Sequence, residues 1–218
     1  MTKKTTTLEP VYQLWGWILL GWSLYRYFLK LPEWVDEFIA KPLVFVGPVL
    51  WYVVNKEKKR LESVGLTTKN FFPSLYAGIG LGFLFALEGI VANAIKYGKL
   101  NIVPIAALQQ YGLIALLLLS VATAFSEELL NRGFLFNRIL EKSKSAPYAA
   151  LVSTILFVLL HVPILVTSLK LQGITLVLFF VTDVVLGLAT SVLFYRFRSL
   201  VAPILIHVFW NMTVALYL

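Results

Sequence analysis

Three short stretches of this chain place groups capable of acid–base chemistry inside otherwise apolar sequence. The first is Ser126-Glu127-Glu128-Leu129-Leu130-Asn131-Arg132, set between the apolar run 112–125 and the stretch Gly133 to Phe136. The second is Phe157-Val158-Leu159-Leu160-His161, and the third is His207-Val208-Phe209-Trp210-Asn211. The sequence has 2 histidines, and both are placed this way. An ionisable side chain at mid-bilayer costs roughly 2.5–3.5 kcal/mol on insertion scales, so each one needs a partner or a task.

Spacing separates the tasks. Glu128 and Arg132 are four residues apart, on one helical face, and are expected to form an ion pair that leaves Glu128 a poor proton acceptor. Glu127 lies about 100° further round the helix and is expected to stand clear of that cation, which suits a general base. His207 and Asn211 are also four apart and project into one cavity, where an imidazole and a carboxamide can donate two hydrogen bonds to a developing oxyanion. His161, from another helix, can help Glu127 position a water, and Phe157 is expected to orient His161 by packing. Base, water and oxyanion donors together read as peptide hydrolysis without a covalent intermediate. Lys41, Glu88 and Asp183 are read as structural or near-interface residues, Asp183 being the one with some prospect of a site role. Two other chemistries use the same groups: a zinc site with Glu127, His161 and His207 as ligands, or a non-enzymatic proton-coupled transporter or peptide-binding immunity scaffold. The sequence has no His-Glu-x-x-His and no cysteine, which weighs against zinc, and no inverted repeat, which weighs against a transporter.

The elements that carry these groups must be membrane helices. Of the 218 residues, 59% are hydrophobic and only 14% charged, against about a quarter charged in a soluble domain. Mean hydropathy is +0.82. Seven apolar spans are expected, over 11–29, 39–54, 72–95, 108–138, 147–169, 172–195 and 200–218, because isolated segments in lipid must satisfy their own backbone groups. The fold class is therefore all-α, a polytopic transmembrane bundle of about seven spans, six to eight being compatible, with the active site inside the membrane. The second span is short and holds Lys41, Gly47 and Pro48, so a tilted or re-entrant segment is expected there. No cleavage pattern follows the first run, which is read as a retained helix. The chain reads as one membrane domain, with 1–105 as variable N-terminal helices and 106–218 as the catalytic core.

Depth and orientation follow from the same map. At about 1.5 Å rise per residue, Glu127, His207 and His161 lie roughly 16, 13 and 21 Å from the basic ends of their helices, so three helices bring titratable groups to similar depth. Thirteen Lys and Arg residues fall on the side holding the N-terminus, loop 55–71, region 132–146 and loop 196–199, against six on the other. The positive-inside rule then places the N-terminus in the cytosol, a bacterial plasma membrane being the expected location. The net charge of +8 sits in these short loops, a pattern of membrane topology and not of nucleic-acid binding. Zero cysteines exclude disulfides, thiolate catalysis and Cys-ligated metal. No cofactor or metal is expected; the expected partners are the lipid bilayer and a peptide or protein substrate.

At these three motifs the sequence resembles the CPBP family of intramembrane glutamate proteases, which includes the Ras-converting type II CAAX prenyl endopeptidases and the bacteriocin-processing Abi proteins. The family pattern Glu-Glu-x-x-x-Arg, Phe-x-x-x-His and His-x-x-x-Asn or Asp appears here as Glu127-Glu128…Arg132, Phe157…His161 and His207…Asn211, in order and on separate helices, within about residues 110–215. The resemblance implies Glu127 as the water-activating base with His161, His207 with Asn211 as oxyanion hole, Glu128, Arg132 and Phe157 in support, and a cavity open to the cytosol. It also implies substrates that are prenylated CAAX tails in some lineages and other membrane-associated peptides elsewhere.

Overall fold

Every element that positions the polar groups is a helix, as a bilayer requires of a segment that must close its own hydrogen bonds. The computed structural model describes residues 7–101 and 106–214. Among them run α1 (Glu9–Phe28), α2 (Glu33–Lys56), α3 (Phe71–Tyr97), α4 (Gly112–Ser143), α5 (Ala146–Leu169), α6 (Gly173–Phe197) and α7 (Val201–Val214). The five from α2 to α6 are long and apolar enough to cross a membrane, and α7 is a shorter apolar helix. The expected bundle is therefore present, each helix overlapping one expected span. The N-terminal Lys3 and Lys4 and the last residues of the seventh span lie outside the described residues.

The second segment departs from expectation. It is neither short nor re-entrant but helical over 24 residues. Pro42 and Pro48 lack the N–H that an α-helix would use, and the chain accommodates Pro42 by widening into π turns over Asp36–Ala40 and Pro42–Val46. Another such turn, Leu129–Phe136, widens α4 directly after the two glutamates. Insertions of this kind recur at functional sites because they re-aim side chains that strict α geometry would hold elsewhere.

Close packing is achieved by small residues. Gly78, Gly82 and Gly89 of α3 lie against Leu205, Phe209 and Thr213 of α7, and a Cβ on Gly82 would fall within the Phe209 ring. In lipid, where helices gain little from burying apolar surface against one another, such approach supplies the dispersion contacts that hold a bundle. The opposite faces, including Leu84, Leu113, Ile114 and Val192, point outward and are apolar, as a lipid-facing surface must be.

One end of the bundle is plugged. Leu129, Leu130, Phe134, Leu135, Phe136 and Ile139 are fully buried in α4, beneath a loop whose 3-10 turn spans Leu61–Val64. Gly133 is obligatory there, since a Cβ would stand 2.5 Å from the Val64 carbonyl oxygen. Arg138 fastens the loop with a bidentate pair to Glu57, at 2.8 Å from Nε to Oε1 and 2.6 Å from Nη2 to Oε2, and donates to the Ser63 carbonyl at 3.1 Å.

Candidate active site

Glu127 and Glu128 occupy the last α turn before the widened stretch of α4, and each serves a different constellation. The Glu127 Oε1 receives the Lys41 ammonium of α2 at 2.8 Å. Lys41 also reaches Glu37 Oε2 at 2.9 Å, one helical turn earlier, where the Thr123 hydroxyl of α4 donates as well. The other carboxylate oxygen, Oε2, has no direct hydrogen-bond partner among the described residues. It faces His161 Nε2 of α5 and His207 Nε2 of α7, each at 3.7 Å.

Both imidazoles are held from behind. His207 Nδ1 lies 2.8 Å from Glu128 Oε1, and Arg132 approaches the same oxygen at 3.3 Å. His161 Nδ1 lies 3.1 Å from the Phe157 carbonyl and 3.3 Å from Asp183 Oδ2 of α6. Since these partners are acceptors, each Nδ1 is assigned the proton and each Nε2 is directed at Glu127. Phe157 stands between the parts. Its ring meets His161 edge-on at 4.8 Å and His207 at 6.0 Å, while the Arg132 guanidinium lies 4.4 Å over its face. Asn211 donates to the Ser120 carbonyl at 3.3 Å and lines the same cavity, of about 250 Å³, as Glu37, Lys41, Glu127, His161 and His207.

The structure thus gathers the four residues expected to act, Glu127, His161, His207 and Asn211, around one cavity. It forms the expected Glu128–Arg132 pair and adds His207 to it. Two residues read as structural stand in the site instead. Lys41 overturns the expectation that Glu127 is clear of cations, and Asp183 backs His161. The signal for Lys41 was present: a cation inside an apolar run, four residues after an acid, is itself a functional hypothesis. Among the described residues no three His, Asp or Glu side chains stand at metal-ligand spacing.

The cavity extends past the catalytic candidates toward one end of the bundle. Beyond the polar groups its wall is made by Trp22 and Arg26 of α1, Glu33 of α2, and Ile164 and Leu169 of α5. These lie toward the connections 29–32 and 170–172, at the end away from the plug. Arg26 ties that rim together, pairing with Asp36 and donating to Ser168 at 2.9 Å. The basic loop 57–66 lies at the plugged end, where Arg138 pairs with Glu57.

A polytopic helical bundle with paired carboxylate and imidazole groups round a cavity inside the membrane defines a class, that of enzymes and carriers that handle a polar reaction within lipid. Residues 109–213, which contain all three motifs, match the family model for Rce1-like type II CAAX prenyl endopeptidases. The match supports a CAAX-type intramembrane endopeptidase in general terms, a hydrolase of peptide bonds. Neither a curated protein nor a solved structure matches the chain.

Proposed function

We propose that the chain cleaves a peptide bond of a membrane-associated substrate with a water activated by Glu127. The observation that supports this most is the unshared Glu127 Oε2 facing two imidazole nitrogens at equal distance. A water within about 2.8 Å of Oε2 and of His161 Nε2 has the geometry required for general-base catalysis. Its oxygen attacks the scissile carbonyl carbon while one proton passes to Glu127. The carbonyl oxygen becomes an oxyanion, toward which His207 Nε2 and the Asn211 carboxamide are the available donors. Glu128 holds the His207 ring from Nδ1, which keeps Nε2 turned toward Glu127 and the cavity. Glu127 then returns its proton to the departing amine as the C–N bond breaks.

The substrate is a peptide or protein held at the bilayer, a prenylated CAAX-type tail being one form. The positive-inside rule favours the plugged, basic end as cytosolic, which turns the mouth to the opposite face and favours a substrate that arrives within the membrane or from that face. The test is a comparison of membrane peptides from cells carrying the wild type or Glu127→Gln. Loss of the general base should lower cleavage by roughly 10²–10⁴-fold, and the variant should stay folded because Lys41 retains Glu37. Identical peptide sets from the two would refute the assignment.

A further inference from the structure

We infer that Lys41 is a positioning residue of the reaction, fixing the rotation and the charge of Glu127, so that the site is completed by a helix outside the family-matched segment. The inference rests on the proposed role of Glu127 and extends it.

The geometry carries it. Lys41 is buried and touches one oxygen of Glu127, leaving the other toward the two imidazoles. A carboxylate free to rotate would present either oxygen to Arg132, to His207 or to the cavity. An ammonium bonded to Oε1 removes that freedom. Lys41 is itself fixed from two sides, by Glu37 at 2.9 Å and by the Trp22 ring, 5.9 Å from the ammonium. The side chains involved belong to α1, α2 and α4, so the position of α2 against α4 is read out directly at the reacting carboxylate.

Charge balance makes the same point. Around the inner end of the cavity stand four carboxyl groups, Glu37 of α2, Glu127 and Glu128 of α4, and Asp183 of α6, while Glu33 and the Arg26–Asp36 pair lie at its rim. Against them are two permanent cations, Lys41 and Arg132, and the titratable His161 of α5 and His207 of α7. Arg132 is spent on Glu128. In a low-dielectric site an unmatched charge is removed by protonation, and Lys41 is the direct cationic partner of Glu127. Without it Glu127 would take up a proton, and a protonated acid cannot accept another from water.

The test compares Lys41→Met, Lys41→Arg and the double variant Glu37→Gln/Lys41→Met, which removes one acid together with the cation. The probe is the peptide whose release depends on Glu127, assayed on detergent-purified protein across pH. Lys41→Met should lower kcat by roughly 10²-fold near neutral pH, on the scale of general-base loss, with KM changed little. Its deficit should shrink as pH rises, because alkali ionises Glu127 without the lysine. Lys41→Arg should retain activity within about tenfold, since the fixed cation is kept. Infrared difference spectra of Glu37→Gln/Lys41→Met, in which Glu37 cannot contribute, should show a protonated carboxyl band that disappears when Glu127→Gln is added; this readout needs no substrate. If Lys41→Met fails to fold, the double variant carries the same profile. A deficit constant across pH, an unchanged rate, or a carboxyl band that survives Glu127→Gln would overturn the inference. Retained cleavage by Glu127→Gln would instead strike the proposed function beneath it.

Discussion

Replacing Glu128 by Gln should separate the two glutamates by stability as well as by rate. Glu128 and Arg132 are both wholly buried, and one carboxylate oxygen serves Arg132 at 3.3 Å and His207 at 2.8 Å. The amide oxygen of Gln can still accept a hydrogen bond, but it leaves the guanidinium without a counter-charge. Breaking a buried pair by removing one member costs about 3–5 kcal/mol. For a chain of this size each kcal/mol moves Tm by about 2–4 °C, so a fall of roughly 6–20 °C is expected. Glu127→Gln differs because Lys41 keeps Glu37 as a partner, and its Tm should stay within a few degrees of wild type. Adding Arg132→Met to Glu128→Gln should recover most of the lost stability, since a buried ion pair can be exchanged for apolar residues with little net change. It should not recover cleavage, because His207 remains without its carboxylate. Tm by intrinsic tryptophan fluorescence and cleavage of the Glu127-dependent peptide measure the two separately. A Glu128→Gln protein as stable as wild type would refute the reasoning about the buried pair.

Three further outcomes follow from the site. Asn211→Ala should lower turnover by roughly 10²–10³-fold, the loss typical of one oxyanion donor, with Tm nearly unchanged; a rate within a few-fold of wild type would remove Asn211 from the oxyanion hole. Because the chain has 0 cysteines, single cysteines at Lys59 and Leu169 can be labelled against a silent background: a membrane-impermeant maleimide applied outside intact cells should modify Cys at position 169 and not at 59, and the reverse pattern would invert the proposed orientation. Purified protein treated with strong chelators should keep its activity and contain no stoichiometric metal by elemental analysis; activity lost on chelation and restored by zinc would favour a metal mechanism.

The spans were legible because a bilayer imposes its own arithmetic: apolar runs of membrane length are helices, and the few polar residues inside them stand out. Glu127, His161 and His207 were found for that reason, and helical rise alone brought them to one depth. Lys41 was not assigned to the site because its partner lies 86 residues away, and no periodicity within α2 reveals which helix it faces. Asp183 is hidden in the same way, its contact with His161 depending on the pairing of α5 with α6. The π turns of α2 and α4 also left little trace beyond the prolines, since winding responds to packing as much as to composition. The plug was not legible at all. Sequence tells which face of a helix is polar, but which end of a bundle is plugged depends on a loop, here 57–66, folding back over α4.

That plug has a consequence for the cell that harbours the protein. Hydrolysis needs water halfway through the bilayer, and a cavity that admits it removes half of the insulating layer. Were the cavity continuous with the other face, protons and small ions would follow the water and discharge the transmembrane voltage, which stores about 2.3 kcal/mol per elementary charge at 100 mV. The buried stretch from Leu129 to Ile139, closed over Gly133 by the Val64 carbonyl, is the part of the bundle placed to keep the remaining half intact. On the proposed mechanism the site would have to act as a blind well, and its closed end depends on one glycine that lets a loop lie flush against a helix. A larger residue at position 133 would threaten the voltage of the host membrane before it threatened the chemistry.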